Sequence, residues 1–387
     1  VLDLVKNQVE MVTNGTFWPV AWSPDDTKLI QVEGKIGDPR RMLYVPATRS
    51  AIPLPVGSSQ SWWSPDGKIC VVDGSDGFHF LNGLTGEKYW DPIRFDEPVF
   101  RIHWSPDGRR FACIFANKIR LYDVTHQGLR ERPSITEGVT PGTLSIISDN
   151  GERLAMITSA REVRIWHCDT RKHLLTIPIK EDTGSIAWSP SGARLAVGSR
   201  LETSIVEVPS GKQLQVFQQK KRPEKANSRK NRNPWENPFW CGENHVLVAT
   251  CIDSFVRRIE PAIVDSMVLY DIGSGAEVHS CIVDAWGIMQ WKNSEFILNA
   301  THSKAAEVIH MNMDSKKETQ IRFTLLSENK LLLTTDDGHY RGPDGIERDL
   351  VYLVLNKNNS TTVLRPDAFA TKYGWKNDPL RIPFPRR

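Results

Sequence analysis

A short pattern recurs along the chain about every forty residues: an apolar strand ends in Trp or Ile and runs into a polar turn, most clearly Trp-Ser-Pro-Asp. The copies start at Trp22, Trp63, Trp104, Ile147 and Trp188, with weaker ones at Trp240, Trp291 and Leu326. Separations among the first five are 41, 41, 43 and 41 residues, the period of a four-stranded propeller blade. The period predicts an all-β fold, a β-propeller of four-stranded antiparallel blades.

The third copy shows why each repeat is expected to form a meander of strands. Ser105-Pro-Asp-Gly108 has the composition of a tight turn, because Pro presets its own φ and Gly accepts a positive φ. Phe111–Phe115 is a continuous apolar run, as expected for a strand covered on both faces by neighbouring blades. Residues 119–124 then alternate apolar and polar side chains, as in a half-buried strand.

Closure of the ring is predicted from the two ends of the chain. Residues 1–12 have the pattern of the last two strands of a blade, whereas residues 321–335 have the pattern of the first two. We therefore favour eight blades, with the last one built from both termini. The alternative is seven blades with both termini packed outside the ring.

Two strand motifs identify a family resemblance. Ile119-Arg-Leu-Tyr-Asp123 and Val163-Arg-Ile-Trp-His-Cys-Asp169 stand where WD40 repeats carry their Trp-Asp pair, and Trp-Ser-Pro-Asp-Gly stands at their first hairpin. The chain thus resembles WD40-repeat propellers from residue 16 to 322, although the Gly-His pair of that family is missing. The hairpins are also similar to TolB-like propellers and to the propeller caps of prolyl peptidases, but the Tyr-Asp and Trp-His-Cys-Asp strands favour WD40.

The C-terminal segment has motifs of its own: Gly338-His-Tyr-Arg-Gly342 and Tyr373-Gly-Trp-Lys-Asn-Asp378. They resemble the C-terminal cap of large bacterial WD40-repeat proteins, a likeness to which no chemistry is attached. We expect a WD40-like propeller over residues 1–340 and a cap over 341–387 packed on it. A short helix is predicted over 366–373, with Asp367 near its start and Phe369 and Tyr373 one turn apart for packing.

Composition places the chain among ordinary globular proteins. It has 387 residues, 40% hydrophobic and 25% charged, and a net charge of +3, which is too mild to imply a nucleic-acid partner by itself. No apolar run is long enough to span a bilayer and no signal pattern opens the chain. We expect a monomeric, cytoplasmic protein. Because the chain begins with Val1 in the middle of a predicted blade, an upstream signal, kinase or protease domain in a longer multidomain chain stays open.

The six cysteines are scattered over different repeats and mostly lie in apolar strands, so we expect reduced core thiols. Cys241 and Cys251 flank one predicted hairpin, and a disulfide between them is the alternative. His167 and Cys168 are adjacent and would point to opposite faces of a strand, which argues against shared metal ligation.

The sequence contains no recognisable reaction centre. Phosphate-binding loops, nucleophile elbows and paired metal-binding histidines are all missing. The acidic hairpins at Asp73–Gly77 and Asp336–Gly338 lack the alternating oxygen ligands of a strong calcium loop, and ordinary turn chemistry explains both. We therefore expect no enzyme, no catalytic residues, no metal and no cofactor.

A basic interruption, residues 219–238, separates the fifth and sixth repeats. Residues 220–235 hold seven basic side chains against one acidic side chain, too polar to pack, so a projecting loop is predicted. A solvated insertion is one interpretation. The other is a handle for an acidic protein surface, a polyanion or an anionic membrane, with Trp235 and Trp240 as apolar anchors at its base. The candidate partner-binding residues are Lys220, Lys221, Arg222, Arg229, Lys230, Arg232 and Trp235.

A second insertion, residues 253–264, is predicted between the second and third strands of the sixth blade. Phe255, Ile259 and Ile263 are expected on one side of it, either packed over the blade edge or facing a partner.

Three functions remain open. The favoured one is a noncatalytic protein–protein interaction scaffold that binds a partner protein or peptide through loops on one propeller face and at the channel mouth. The second is polyanion or nucleic-acid binding led by the basic loop, which would show a steep salt dependence. The third is a propeller-type hydrolase or lyase, which requires carboxylates or histidines from several blades to converge, with at least one perturbed pKa.

Overall fold

The computed structural model describes most of the chain in separate stretches. These are residues 2–3, 8–9, 21–24, 27–35, 38–45, 50–54, 61–74, 77–140, 144–158, 161–179, 183–200, 202–218, 234–252, 263–292, 295–300, 306–312, 315–325, 331–355 and 361–382. The chain forms two compact units. The first comprises residues 13–256 and 265–282, and the second comprises residues 1–12, 257–264 and 283–387.

The first unit is a series of antiparallel blades whose strands are paired in chain order. After the short strands β1 (Leu2–Asp3) and β2 (Gln8–Val9) of the second unit, the first three blades are β3 (Ala21–Trp22), β4 (Leu29–Lys35), β5 (Asp38–Val45) and β6 (Ser50–Pro53); β7 (Ser61–Trp63), β8 (Ile69–Gly74), β9 (Gly77–Asn82) and β10 (Lys88–Ile93); β11 (Arg101–Trp104), β12 (Arg110–Ile114), β13 (Ile119–Thr125) and β14 (Gly128–Ile135).

Three more blades complete this unit. Their strands are β15 (Ser145–Ile147), β16 (Arg153–Ile157), β17 (Glu162–His167) and β18 (His173–Pro178); β19 (Thr183–Trp188), β20 (Arg194–Ser199), β21 (Glu202–Glu207) and β22 (Gln213–Gln218); β23 (Pro234–Cys241), β24 (His245–Ile252), β25 (Ile263–Asp271) and the first part of β26 (Glu277–Lys292).

The second unit contains the seventh blade and the tail. The blade consists of the remainder of β26 with β27 (Glu295–Ala300), β28 (Ala306–Asn312) and β29 (Lys317–Leu325). The tail adds β30 (Leu331–Thr335), β31 (Tyr340–Arg341), a 3-10 turn at Ile346–Asp349, β32 (Tyr352–Leu355), β33 (Thr361–Leu364), helix α1 (Pro366–Tyr373) and a 3-10 turn at Pro379–Arg381.

The hydrophobic core lies between blades, because a single blade cannot bury both of its faces alone. Phe111 and Cys113 on β12 are completely buried against Val71 and Phe80 of the preceding blade. Ala112 and Ile114, which point the other way, belong to the cluster shared with the following blade. The predicted strand, buried on both faces, is confirmed for residues 111–114, and Phe115 directly after it is also completely buried.

The favoured count of eight blades is corrected to seven, the stated alternative. In the described residues β1 pairs with β2, with Leu2 opposite Val9, so the first strands of the chain form a small sheet with each other. At the other end, β30 pairs with β29 and with β31. Sequence periodicity could identify half-blades at both termini, but it could not show that each half pairs with its chain neighbours.

The predicted tail helix is confirmed as α1. Pro366 occupies its first position, which needs no free amide hydrogen, and Gly374 ends it at φ 63°. Asp367 lies in the first turn, where a negative charge is favourable, although the capping residue Arg365 makes no side-chain cap bond. Phe369 stacks on Tyr352 with 4.2 Å between ring centroids and lies 4.8 Å from Tyr373. The predicted boundary between residues 340 and 341 stays a prediction.

Candidate interaction surfaces

The first unit has two faces that differ in their connections. Because consecutive strands are antiparallel, turns between first and second strands and between third and fourth strands lie on the same side, here named the turn face. Turns between second and third strands and the links between blades lie on the opposite side, here named the linker face. The two faces present different chemistry.

Turns between first and second strands on the turn face share one hydrogen-bonded geometry. In the second blade the Ser64 hydroxyl donates to Asp66 Oδ1 at 2.7 Å and accepts the amide N–H of Ile69 at 2.9 Å. Gly67 adopts φ 68°, the conformation that the turn requires. The serine therefore joins both ends of the turn, and the Trp-Ser-Pro-Asp-Gly pattern is explained as a structural device.

Three further blades repeat this arrangement with small changes. Ser105, Ser148 and Ser189 accept amide hydrogens at 2.9, 3.0 and 3.2 Å from the arginines that open their second strands, Arg110, Arg153 and Arg194. The Asp of the pattern is Asp107 in the third blade, Asn150 in the fourth and Ser191 in the fifth, and each interacts with its serine. The sequence variations thus preserve a single turn geometry.

The two kinds of turn within a blade are also bonded to each other. An amide at the end of the third strand or directly after it donates to a carbonyl of the first turn in five blades: Gly83 to Lys68, Val124 to Arg109, Cys168 to Glu152, Val208 to Ala193 and Ile272 to Asn244, at 2.7–2.9 Å. Backbone bonds of this kind fix the turns relative to their strands. The turn face is consequently a preorganised surface, which lowers the ordering cost of binding.

Arginines link neighbouring blades along this face. Arg110 Nη2 donates to Asp169 Oδ1 of the next blade at 2.7 Å, and Arg194 Nη1 donates to the carbonyl of Glu243 at 2.9 Å. Arg153 Nη1 donates to the carbonyl of Gly192 in the same way. The hydrogen bond from Arg110 is the main cause that lowers the pKa of Asp169 below its usual value.

Carboxylates of three blades interact electrostatically among these turns. Asp107, Asp149 and Glu243 belong to the first turns of the third, fourth and sixth blades. Desolvation raises the pKa of Asp149, and repulsion from Glu243 and Asp107 raises it further. Glu243 also accepts the amide hydrogen of Ser191 in the fifth blade. We name Asp107, Asp149 and Glu243 the acidic cluster.

The linker face has an open cleft of about 690 Å³ beside the link between the second and third blades. Phe95 lies in its wall, 5.5 Å from Phe78 and 5.2 Å from Phe115 between ring centroids. The Arg120 guanidinium lies 5.7 Å from the Phe95 ring, and Lys118 pairs with Glu97. The aromatic side chains fill the space between the two blades, so the cleft is a shallow polar surface over packed rings.

The predicted basic handle falls mostly outside the described part of the chain, which covers neither residues 219–233 nor residues 253–262. Lys220, Lys221, Arg222, Arg229, Lys230 and Arg232 are all in the first of these gaps. Trp235 belongs to β23, so the end of the predicted 219–238 loop is strand. Pro234 lies directly opposite Ile252, so both insertions connect to neighbouring strands on the linker face.

Trp240 is not available as the predicted surface anchor. It is 6% exposed, and its indole Nε1 donates to the carbonyl of Ala187 in the preceding blade at 3.0 Å. Trp188 makes the equivalent bond to Ile146, at 3.3 Å. The indole therefore belongs to the contact between the first strands of neighbouring blades. Its side chain lies in the core because it occupies the same blade position as the other tryptophans of the repeat.

The alternative of a disulfide between Cys241 and Cys251 is excluded by strand register. Cys241 lies opposite His245 and Cys251 lies opposite Trp235, at the two ends of the β23–β24 hairpin. Six residues of strand separate these ends by about 20 Å, far beyond the reach of a disulfide. Cys70, Cys113, Cys168 and Cys241 are buried and form no disulfide, as predicted.

The two cap motifs come together in the second unit. His339 is buried, its Nδ1 accepts the amide hydrogen of Asp378 at 2.9 Å, and Trp375 stacks on its ring at 5.1 Å between centroids. Asp337 accepts from the Thr335 hydroxyl and from Arg381, both at 2.6 Å. The Asp336–Gly338 hairpin is thus explained by turn chemistry. Sequence reasoning found both motifs but had no signal that they pack against each other.

Neither a metal-binding group nor a membrane-spanning helix is present in the chain stretches given above. There, no group of three or more His, Cys, Asp or Glu side chains is close enough to hold a metal ion. Across the same stretches, no helix has the length and apolar character needed to cross a membrane.

Comparisons with known proteins rest on structure. No family model matches the sequence, and no curated protein matches it. Sqt1 of Saccharomyces cerevisiae superimposes with a TM-score of 0.59 at 14% identity, covering 86% of this chain and 96% of Sqt1. A eukaryotic initiation factor gives 0.52 at 12% identity, covering 87% and 90%. The fold is that of a β-propeller with four-stranded antiparallel blades.

A third neighbour is an enzyme. The propeller is similar to the dihydro-heme d1 dehydrogenase NirN, with a TM-score of 0.51 at 13% identity, covering 80% of this chain and 66% of NirN. At such identities the likeness shows the fold alone, because propellers host unrelated functions. The choice between scaffold and enzyme therefore depends on this chain's own residues.

Proposed function

We propose that this propeller is a noncatalytic protein–protein interaction scaffold, and that it binds a basic segment of a partner protein on its turn face. The observation that carries the proposal is the acidic cluster: the pKa of Asp149 in the fourth blade is raised first by desolvation and then by the charges of Glu243 in the sixth blade and Asp107 in the third. Lysine or arginine side chains of a partner would neutralise this repulsion. Complementary charge of this kind favours both specificity and rapid association.

Rigidity supports the same proposal. The carboxylates stand on turns that serine bonds, turn-to-turn backbone bonds and arginine bridges hold in place. A partner segment therefore meets a surface that needs little reordering. WD40 propellers of the same fold act as scaffolds, which agrees with this proposal without identifying the partner.

The enzyme alternative is only partly supported by the acidic cluster. Converging carboxylates and a raised pKa were its requirements, and Asp149 with its neighbours supplies both. However, Asp107 accepts hydrogen bonds from Ser105 and the Arg109 amide, and Glu243 from the Ser191 amide, so two of the three carboxylates already serve the turns. None of the three carboxylates lines the cleft on the linker face. A scaffold fits these facts better than an acid–base centre.

Polyanion binding by the basic segment 219–238 remains the second proposal. Its supporting observation is topological, since the described residues that flank the segment, Gln218 at the end of β22 and Pro234 at the start of β23, lie on the linker face, whereas the acidic cluster lies on the turn face. The two proposals therefore concern opposite faces and can be tested separately. A cytoplasmic, monomeric protein is proposed with them; the buried free thiols agree with a reducing compartment.

The test uses the full chain immobilised and probed with a lysine- and arginine-rich peptide array, then with heparin. The paired change Asp149→Asn and Glu243→Gln is expected to lower basic-peptide affinity about tenfold or more, as for loss of charged hydrogen bonds. Asp91→Asn on the outer strand β10 is the matched control, because Asp91 is exposed and pairs only with Lys88 among the residues described. Equal peptide binding by all three proteins would contradict the scaffold proposal.

The second proposal has its own arm. Replacing Lys220, Lys221, Arg222, Arg229, Lys230 and Arg232 with Ser is expected to abolish heparin binding and its steep salt dependence, while leaving basic-peptide binding intact. Heparin binding that survives these changes would remove the polyanion proposal and leave the scaffold proposal untouched.

A further inference from the structure

The second unit contains a cavity of about 420 Å³ in the cap, at the start of α1. Its apolar walls are Tyr340, Pro366, Ala370 and Trp375. A volume of this size is at the small end of the range for ligand pockets, so it accepts one side chain with its own backbone better than a long segment.

The walls are fixed before any ligand binds. Trp375 stacks on His339, and its ring lies 5.2 Å from Tyr352 and 5.7 Å from Phe369 between centroids, edge-on to both. Tyr340 is 6% exposed and belongs to the buried cluster with Leu332 and Ile346. A cavity with such walls keeps its shape, which reduces the ordering cost of binding.

The rim of the cavity carries cations that form no ion pair within the described part of the chain. Arg348, Arg365 and Lys376 line it, and none of the three forms an ion pair with another described residue. They stand on three separate elements: the 3-10 turn, the residue before α1 and the loop after α1. Glu347 and Asp367 are also on the rim. Cations outnumber carboxylates on the rim, and charged side chains of both signs surround the apolar walls.

We propose that this cavity binds the C-terminal residue of a partner polypeptide whose last side chain is apolar. The apolar side chain enters between Trp375, Tyr340 and Ala370. Its free carboxylate faces the unpaired cations, with Arg365 and Arg348 as the first candidates, because guanidinium groups bind carboxylates by paired hydrogen bonds. The terminal amide N–H, a donor, suits the rim carboxylates Glu347 and Asp367. A simple inorganic anion would use only the cations and leave the apolar walls in water.

The site is independent of the acidic cluster proposed above, since it lies in the other unit and selects the opposite charge. It gives the cap motifs a use beyond packing. Trp375 stacks on His339 and Asn377 bonds to Tyr340, and Trp375, Asn377 and Tyr340 also line the cavity.

The probes are N-acetyl-phenylalanine and its amide, titrated into the full chain and followed by calorimetry and by NMR of the tryptophan indole signals. The two probes share the apolar side chain and differ only in the carboxylate. We expect the acid to bind about tenfold more tightly than the amide, the size typical of a hydrogen bond between charged groups. The double change Arg348→Gln and Arg365→Gln should remove this preference. Lys372→Gln, a cation of α1 that is not in the cavity lining, is the matched control and should retain it.

A second variant tests the cavity itself. Ala370→Trp fills the space beside Trp375 and should abolish binding of both probes, with circular dichroism and thermal unfolding confirming that the cap still folds. Equal binding of the acid and the amide to the unmodified chain would overturn the proposal, as would binding of neither probe. Unchanged binding by a folded Ala370→Trp variant would place the ligand elsewhere and would also overturn it.

Discussion

The Asn377 side chain pairs with the backbone of Tyr340 as a neighbouring β-strand would. Its Nδ2 donates to the Tyr340 carbonyl and its Oδ1 accepts the Tyr340 amide hydrogen, both at 2.9 Å. Strand β31 pairs with β30 on its other side, with Thr334 opposite Tyr340. One amide side chain thus covers the free edge of a short strand, and an uncovered edge is a site for unwanted pairing.

Replacing Asn377 with Ala should loosen this edge. The change removes both bonds to a buried backbone segment, and we expect a loss of about 1–3 kcal/mol in the free energy of unfolding of the second unit. Hydrogen exchange at the Tyr340 amide should accelerate in parallel. Asp344→Asn, a change at an exposed residue of the same tail, is the control. Unchanged exchange at Tyr340 would show that the side chain does not hold the edge.

Two tryptophans offer a matched test of the bonds between first strands. Trp240 donates to Ala187 at 3.0 Å, whereas the Trp104 Nε1 is buried and has no hydrogen-bond partner among the described residues. Changing either tryptophan to Phe removes a similar side-chain volume, but only Trp240→Phe also removes a hydrogen bond. We expect Trp240→Phe to destabilise the first unit by about 1–2 kcal/mol more than Trp104→Phe. Urea unfolding of both variants measures the difference, and equal destabilisation would contradict the assigned role of the bond.

The repeat architecture was predictable because its signals are local. A period of about forty residues, a turn with Pro and Gly, and a continuous apolar run such as Phe111–Phe115 each determine structure within a few residues. Helix α1 was predictable for the same reason, since Pro366 and Gly374 mark its ends. Buried free cysteines followed from their apolar neighbours.

Contacts between distant segments were not predictable in this way. Half-blades were recognised at both ends, but β1 pairs with β2 and not with β30, and no local pattern distinguishes these outcomes. Trp240 was interpreted as a surface anchor because it follows a basic segment, whereas its blade position buries it. Asp107, Asp149 and Glu243 were each visible only as turn residues, 42 and 94 positions apart in sequence, until the fold brought their blades together.

The Arg110–Asp169 bridge predicts a response to acid. Its hydrogen bond is the main cause of a pKa for Asp169 below the usual value of 3.8. Because the folded pKa is depressed, the stabilisation is present at pH values above 3.8 and is lost as the pH falls through the folded pKa. NMR titration of the Asp169 carboxyl carbon should show this low pKa, and Arg110→Met should raise it toward 3.8. An Asp169 pKa that does not change in the variant would contradict the bridge.

Thiol reactivity tests the packing between blades. Burial raises the pKa of Cys168 to about 12, and it raises the pKa of Cys113 even further. Since the thiolate is the reactive form, neither side chain should be alkylated by iodoacetamide at pH 8 in the folded protein. Cys281, which is only partly buried, should react before either of them. Peptide mass spectrometry after timed labelling measures the order, with urea-unfolded protein as the control in which all six thiols react. Labelling of Cys113 or Cys168 as fast as Cys281 would mean that the interface between the third blade and its neighbours opens readily. A Cys241–Cys251 disulfide in unreduced protein would contradict the register of β23 and β24.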